Sequence, residues 1–193
     1  KKVIFAENLN DMTFDEIING HLWAVRYEGE QDNVLYNLFD RWNDVVWLRS
    51  FFKENKKDLV SYFKIEDINQ AIKDTIDDGE HLERLMMDVS LMANLDTLFR
   101  PLDNSRMSES VLSKEKARPH YILRHVSWLR IYAIKLASDV YIITGGAIKL
   151  TATMQEREHT RRELVNMEKV RSFLLNERII DEDGFLDYMN EIR

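Results

Sequence analysis

No cysteine occurs in this chain of 193 residues, and only two residues are proline and six glycine. Without cysteine there is no disulfide framework and no thiolate metal site, which fits a reducing, cytoplasmic setting. Scarce proline and glycine leave little punctuation, so long helices are expected rather than a many-stranded sandwich. No apolar run approaches the roughly 18 residues that a membrane helix needs, so no membrane partner is expected. The short apolar patch Val3-Ile4-Phe5-Ala6 stops at Glu7 and does not read as a signal peptide. Also missing are the glycine spacing of a dinucleotide fold, a Walker loop, a G-x-S-x-G elbow and the kinase signature.

Aromatic side chains, by contrast, are plentiful. Four Trp and nine Phe are a load that disordered chains do not carry, and they can fill a sizeable core at this length. Charge is unevenly spread. Residues 1–112 hold 13 Lys and Arg against 22 Asp and Glu, a net of −9, whereas residues 113–178 hold 13 against 7, a net of +6. An acidic front with a basic stretch behind it implies separate surfaces for separate partners, unless the clustering is accidental.

Residues 11–19 read as a short helix capped by Asp11 or Thr13, with Phe14, Ile17 and Ile18 on its apolar face and Gly20 at its end. Leu22 to Tyr27 reads as a strand. From Asp32 the period becomes helical: Leu35, Leu38, Phe39 and Trp42 form one stripe, and Asn43 or Asp44 caps a second helix with Val45, Leu48, Phe51 and Phe52. The aromatics of these two helices, Trp47 included, read as core, because base stacking would need them exposed. A long helix runs from Ile65 to Met92 across Gly79, and 94–99 forms a further helical turn. The polar stretch 103–118 reads as a loop and as the best boundary, dividing an acidic, mainly helical region 1–105 from a sheet-bearing region 106–193. Tyr121 to Val126 is a candidate strand, and Arg157 to Asn176 and Gly184 to Ile192 are helices. The expected fold is α+β: a helical N-terminal region packed with a small twisted antiparallel sheet, closed by a long C-terminal helix.

Trp128 to Leu136 and Val140 to Leu150 are β-branched and aromatic runs joined by Ala137-Ser138-Asp139, an antiparallel hairpin signal. Arg130, Lys135 and Lys149 interrupt these otherwise apolar strands. Arg130 and Lys149 both fall at the open end of the hairpin, where pairing can bring them together. Two cations held close repel unless an anion lies between them, and a phosphate would serve. The plain alternative is that both are solvated surface charges. Gly145-Gly146 marks a bulge or a close backbone approach, read here as a bend that re-aims Lys149.

Arg157, His159, Arg161 and Arg162 gather at the start of the following helix, where each cation opposes the macrodipole by about 0.3–1 kcal/mol. That placement calls either for the neighbouring Glu156, Glu158 and Glu163 or for an external anion. His159 is the one group there able to exchange a proton near neutral pH. His21, His81, His120 and His125 are scattered without metal-ligand spacing, so neither a metal nor a cofactor is expected. Asp77-Asp78 reads as a solvated pair of helix charges.

Three pieces of the chain resemble the RelE/HigB/ParE toxin superfamily. Phe99-Arg100-Pro101-Leu102 followed by Trp128-Leu129-Arg130-Ile131-Tyr132 is similar to that family's passage into a central strand. Val140 through Lys149 is similar to its next strand, and Arg157 through Leu164 takes the place of its segment leading into a helix. The pattern covers about a third of the chain, the family's second Lys is Leu150 here, and the family's helix normally precedes its sheet. The resemblance implies a small antiparallel sheet on helices and, as in the ribosome-dependent members, cleavage of messenger RNA without a metal. It implies that Arg130, Lys149 and Arg157 contact phosphate and stabilise the transition state, with His159 or Tyr132 assisting proton transfer. Lys135, Arg161 and Arg162 would then be the further RNA-binding cations. The implied partners are an antitoxin protein and messenger RNA or the ribosome; the alternative is a non-catalytic interaction or scaffold protein.

Overall fold

The structure, a computed structural model, describes residues 12–92, 95–102, 111–119 and 125–192. Six strands form one mixed sheet: β1 (Met12–Ile18), β2 (Leu22–Tyr27), β3 (Phe99–Pro101), β4 (Lys114–Ala117), β5 (Leu129–Ala137) and β6 (Val140–Ile148). Their order across the sheet is β1-β2-β6-β5-β4-β3, antiparallel throughout except where β2 runs parallel to β6. The sheet is therefore larger than the small antiparallel one expected, and not wholly antiparallel. It draws β1, β2 and β3 from the acidic front of the chain and β4, β5 and β6 from the basic stretch.

Residues 12–18 are the clearest departure from the expected elements, since they form strand β1 and not a helix. Met12 and Phe14 alternate with the exposed Thr13, a period of two, and both are buried once β1 pairs with β2. Asp11 lies outside the described residues. Within the expected loop, 114–117 is β4, whose Lys114-Glu115-Lys116 run conceals its strand period in charge. Of the candidate strand 121–126, only His125 and Val126 fall within the described residues, and neither is in a strand.

The helices are α1 (Val34–Asn43), α2 (Val45–Glu54), α3 (Lys56–Asp58) continuing into a π-helical turn (Leu59–Phe63), α4 (Ile68–Met92), α5 (Leu95–Leu98), α6 (Glu158–Asn176) and α7 (Glu182–Glu191). Capping sets the starts of the first two. Asn33 accepts from the backbone N–H groups of Leu35 and Tyr36, and Asp44 accepts from those of Val46 and Trp47. Gly79 sits inside α4 against Trp42, where a larger residue would meet the indole.

Each strand sends alternate side chains to opposite faces, and helices cover both. Leu22, Ala24, Leu129, Ile131, Ala133 and Ile143 pack with Leu35, Trp42, Leu48, Phe52 and Leu82 of α1, α2 and α4. Trp23, Val25, Tyr132, Ile134 and Ile142 pack with Met167, Val170 and Leu174 of α6 and Phe185 and Met189 of α7. Phe39, Trp42 and Phe52 are buried as read, whereas Trp47 and Phe51 are half-buried and stack on each other, ring centroids 5.3 Å apart.

Candidate functional site

The hairpin β5–β6 carries one irregularity that decides which charges meet. Tyr132 pairs with Gly145 and Ala133 with Ile143, so Thr144 is an extra residue on β6. A one-residue bulge reverses the facing of everything beyond it. Val140 and Ile142 lie on the α6 side before the bulge; after it Ala147 does, paired with Arg130. Lys149, two residues past Ala147, falls on the same face as Arg130. Regular pairing would put it on the other.

Arg130 and Lys149 are both half-buried. Arg130 Nη1 donates to the carbonyls of Ser127 (2.8 Å) and Leu129 (2.6 Å), and no acceptor among the described residues takes Nη2 or Nε. Lys149 Nζ donates to the carbonyls of Thr151 and Ala152, each at 2.6 Å, tying down the loop that leads to α6. No carboxylate among the described residues forms an ion pair with either one. Burial pushes the Arg130 guanidinium below its ordinary value, and Arg118 pushes the same way. Burial likewise lowers Lys149, with Arg130 next and Lys116 adding to it, while Glu156 partly offsets them. Lys116 pairs with Tyr132 across β4–β5 and so shares this face, its Nζ donating to the carbonyl of Leu102 at 2.9 Å. Arg118 follows one step beyond the paired Ala117 and Ile131.

Beyond Ile143 no described strand borders the outer edge of β6, and side chains complete it instead. The Tyr27 hydroxyl donates to the Thr144 carbonyl at 2.7 Å. His159 Nε2 lies 2.9 Å from the Ile148 carbonyl and must donate there, because a carbonyl only accepts. Glu163, one helical turn further along α6, accepts from the Gly146 N–H. The two glycines follow from this edge. A Cβ at Gly145 would stand 1.9 Å from Glu163 Oε2, and one at Gly146 would stand 2.6 Å from the Arg130 carbonyl oxygen and 2.7 Å from Leu38. Burial raises Glu163 to about 7 against the bonds from Asn166 and Gly146 and the charges of Arg41 and Arg162. Its Oε2 and the Tyr132 hydroxyl are both buried without a hydrogen-bond partner. Burial also drives the Tyr132 hydroxyl far up, with Arg130 opposing and Glu163 reinforcing.

The other cations read from the sequence are placed differently. Arg157 makes a two-pronged pair with the buried Asp58, Nε to Oδ2 and Nη2 to Oδ1 both at 2.6 Å, fastening the start of α6 to α3. Arg161 pairs with Glu158 one turn back. Arg162 is exposed. Lys135, near the closed end of the hairpin, pairs with Asp96 at 2.9 Å and lies over the Tyr141 ring. Asp96 also accepts from the Tyr141 hydroxyl (2.6 Å) and Ser138 Oγ (2.8 Å). Burial would raise that carboxyl, yet these bonds hold it far below the usual range. The structure thus groups Arg130 with Lys149 and leaves Arg157, Arg161 and Lys135 each with an acid of their own.

A second buried constellation lies under Trp128. His125 Nε2 is 3.5 Å from Asp78 Oδ1 and 3.8 Å from Asp74 Oδ2, and its ring stacks on the indole at 4.9 Å. Asp78 is buried, not solvated as its sequence context implied, and burial raises it to about 6 against the Ser127 hydroxyl bond and the charge of His125. Among the described residues no group of three or more His, Asp or Glu could hold a metal ion, and no helix is long and apolar enough to cross a membrane. Lys116, Arg118 and Glu163 were not singled out by sequence reasoning as site residues. Gly145-Gly146 was the one trace of the last. Comparison with protein-family models, curated proteins and solved structures finds no match to the chain.

Proposed function

We propose that the open end of the β5–β6 hairpin binds the phosphodiester backbone of RNA, and that the chain is a toxin-like protein of a bacterial toxin–antitoxin module acting on messenger RNA. One observation carries this reading: Arg130 and Lys149 sit half-buried on one face, each depressed by burial and by neighbouring cations, with no described carboxylate paired to either. The Arg130 charge acts on Lys149, and at an effective dielectric of about 20 like charges repel by about 4 kcal/mol at a separation of about 4 Å and by less as they move apart. An anion inserted between them removes that repulsion and uses the Arg130 donors left over from its two carbonyl bonds.

If message is cut, the 2′-hydroxyl oxygen attacks the adjacent phosphorus, its proton passes to an acceptor, and the 5′-oxygen leaves with a proton, giving a 2′,3′-cyclic phosphate. The cation pair would stabilise the charge that builds on the phosphoryl oxygens. The Tyr132 hydroxyl is sealed in the core and His159 spends Nε2 on Ile148, so binding is the better-supported half of the proposal. The test is message integrity on translating ribosomes, together with growth on overexpression. We expect cleavage or growth arrest from the native protein and loss of both in the Arg130→Gln and Lys149→Gln variants. Intact message and unchanged growth with the native chain would leave a binding or scaffold protein.

A further inference from the structure

The buried set Asp74, Asp78 and His125 plays no part in holding phosphate. Asp74 and Asp78 stand four residues apart on α4, so both carboxylates face the same way, and both are buried. His125 opens the described segment that leads into β5. Its Nε2 faces both acids, 3.5 Å from Asp78 Oδ1 and 3.8 Å from Asp74 Oδ2. Its other ring nitrogen, Nδ1, lies 3.2 Å from the Val126 carbonyl, which only accepts, so Nδ1 carries a proton. Nε2 then meets two groups that are acceptors when ionised. The three fit together when a further proton lies among them, on the imidazole or on a carboxyl. Burial acts in the same direction on Asp78, holding its proton up to about 6; Asp74 reinforces the rise, while the Ser127 hydroxyl, His125 and His81 oppose it. Gln70 donates to Asp74 Oδ1 at 2.6 Å, whereas Asp78 Oδ2 is buried without a hydrogen-bond partner.

The same segment holds Arg130. Trp128, with His125 stacked on it, donates Nε1 to Thr75 Oγ1 of α4 at 2.9 Å, and the Ser127 hydroxyl bonds Asp78. The Ser127 carbonyl accepts from Arg130 Nη1 at 2.8 Å. We propose that Asp74, Asp78 and His125 form a proton-holding clamp that seats residues 125–128 on α4 and so positions Arg130, making the grip on an RNA phosphate weaken as pH rises through neutrality. This rests on the phosphate-binding reading of Arg130 and Lys149. When the shared proton leaves, two buried carboxylates and an imidazole lone pair face one another, and like charges in a covered site repel strongly. The segment then lifts from α4, and the Ser127 carbonyl no longer fixes the guanidinium. Arg130 itself stays charged throughout.

The experiment measures binding of a short labelled oligouridylate without terminal phosphates, at fixed ionic strength from about pH 5.5 to about pH 8.5, beside the tryptophan emission of the unliganded protein. The native protein should lose affinity several-fold across this range. Its emission should rise as the imidazole stacked on Trp128 loses its charge and quenches less. His125→Gln should show neither change, and Asp78→Asn, which keeps the shape of the site, should also flatten the affinity profile. Arg130→Gln should bind weakly at every pH yet keep the emission change, because the clamp does not depend on the guanidinium. Glu163→Gln, which removes the other carboxyl raised into this range, should leave both native profiles in place. If affinity falls equally with pH in the native protein and in His125→Gln and Asp78→Asn, another group such as Lys149 is titrating; the clamp is then refuted and the phosphate site survives. An emission change with flat native affinity refutes the link to Arg130. If the native chain binds oligouridylate at no pH, the phosphate reading falls and this inference with it.

Discussion

Glu163 shows what a single side chain can do when its surroundings are covered. It reaches from α6 to the backbone of β6, takes the Gly146 N–H, and buries Oε2 without a second partner. An unfolded chain ionises a glutamate near its ordinary 4.5, whereas the folded one holds this proton up to about 7. Between those values the unfolded state binds fewer protons, so stability falls as pH rises through the interval and levels off above it. Replacing Glu163 with Gln keeps an acceptor for Gly146 and removes the titration. Denaturant unfolding should then show the variant gaining on the native protein by about 3 kcal/mol between pH 4.5 and pH 8, with little difference in ionisation below that range. A parallel pair of curves would mean the carboxyl titrates near its solution value. Nothing in the residues around Glu163 announces this state, because its neighbours in sequence are ordinary helix charges; the strand beneath it comes from a segment that precedes α6.

At the level of strands and helices, the bulge at Thr144 is the controlling feature. It brings Ala147 and Lys149 round to the Arg130 face, and it opens the strand edge that Tyr27, His159 and Glu163 then fill. The Gly145-Gly146 pair was legible as a close backbone approach, though what approaches was not. The two glycines should respond differently to a methyl group. Gly146→Ala drives Cβ into the Arg130 carbonyl, which is backbone and cannot step aside, so it should cost about 1–3 kcal/mol whatever stands at 163. Gly145→Ala meets the end of the Glu163 side chain and also places a side chain at a φ of +159°, so a Glu163→Ala background should relieve the contact part of its cost and leave the backbone part. A thermal-denaturation double-mutant cycle checks both, and equal coupling of the two glycines to Glu163 would contradict the packing described. Helix starts were easier to read than strand edges. The cap of α2 was narrowed to Asn43 or Asp44 by residue type and by the apolar stripe that follows, and Asp44 fills it, because a cap is a local hydrogen bond; Asn33, the cap of α1, was not read. Strand β1 was mistaken for a helix because seven residues hold too few periods to separate a spacing of two from one of three or four.

Across the whole molecule, one sheet is covered on both faces. The front of the chain supplies α1, α2 and α4 for one face, and the end of the chain supplies α6 and α7 for the other. Neither cover can be spared. Ending the chain after Arg157 would bare Trp23, Tyr132, Ile134 and Ile142, each worth about 1.5–3 kcal/mol when buried. Such a fragment should lose its cooperative transition and its near-ultraviolet circular dichroism while binding a hydrophobic dye, and sharp two-state unfolding would show that the first face folds unaided.

Composition and periodicity were enough to set α1, α2 and α4 to α7, the β5–β6 hairpin, the mixed α and β character and the basic stretch that follows an acidic front, since each depends on residues close together in the chain. The partnerships of the charges were not. Arg157 finds Asp58 from ninety-nine residues away, Lys135 finds Asp96, and Arg130 is left beside Lys149 by a single inserted residue in a strand. Which cations are answered by acids and which are left for a ligand is settled by strand order and register, because electrostatic pairing depends on distance in space and the sequence specifies that distance only once the sheet has formed.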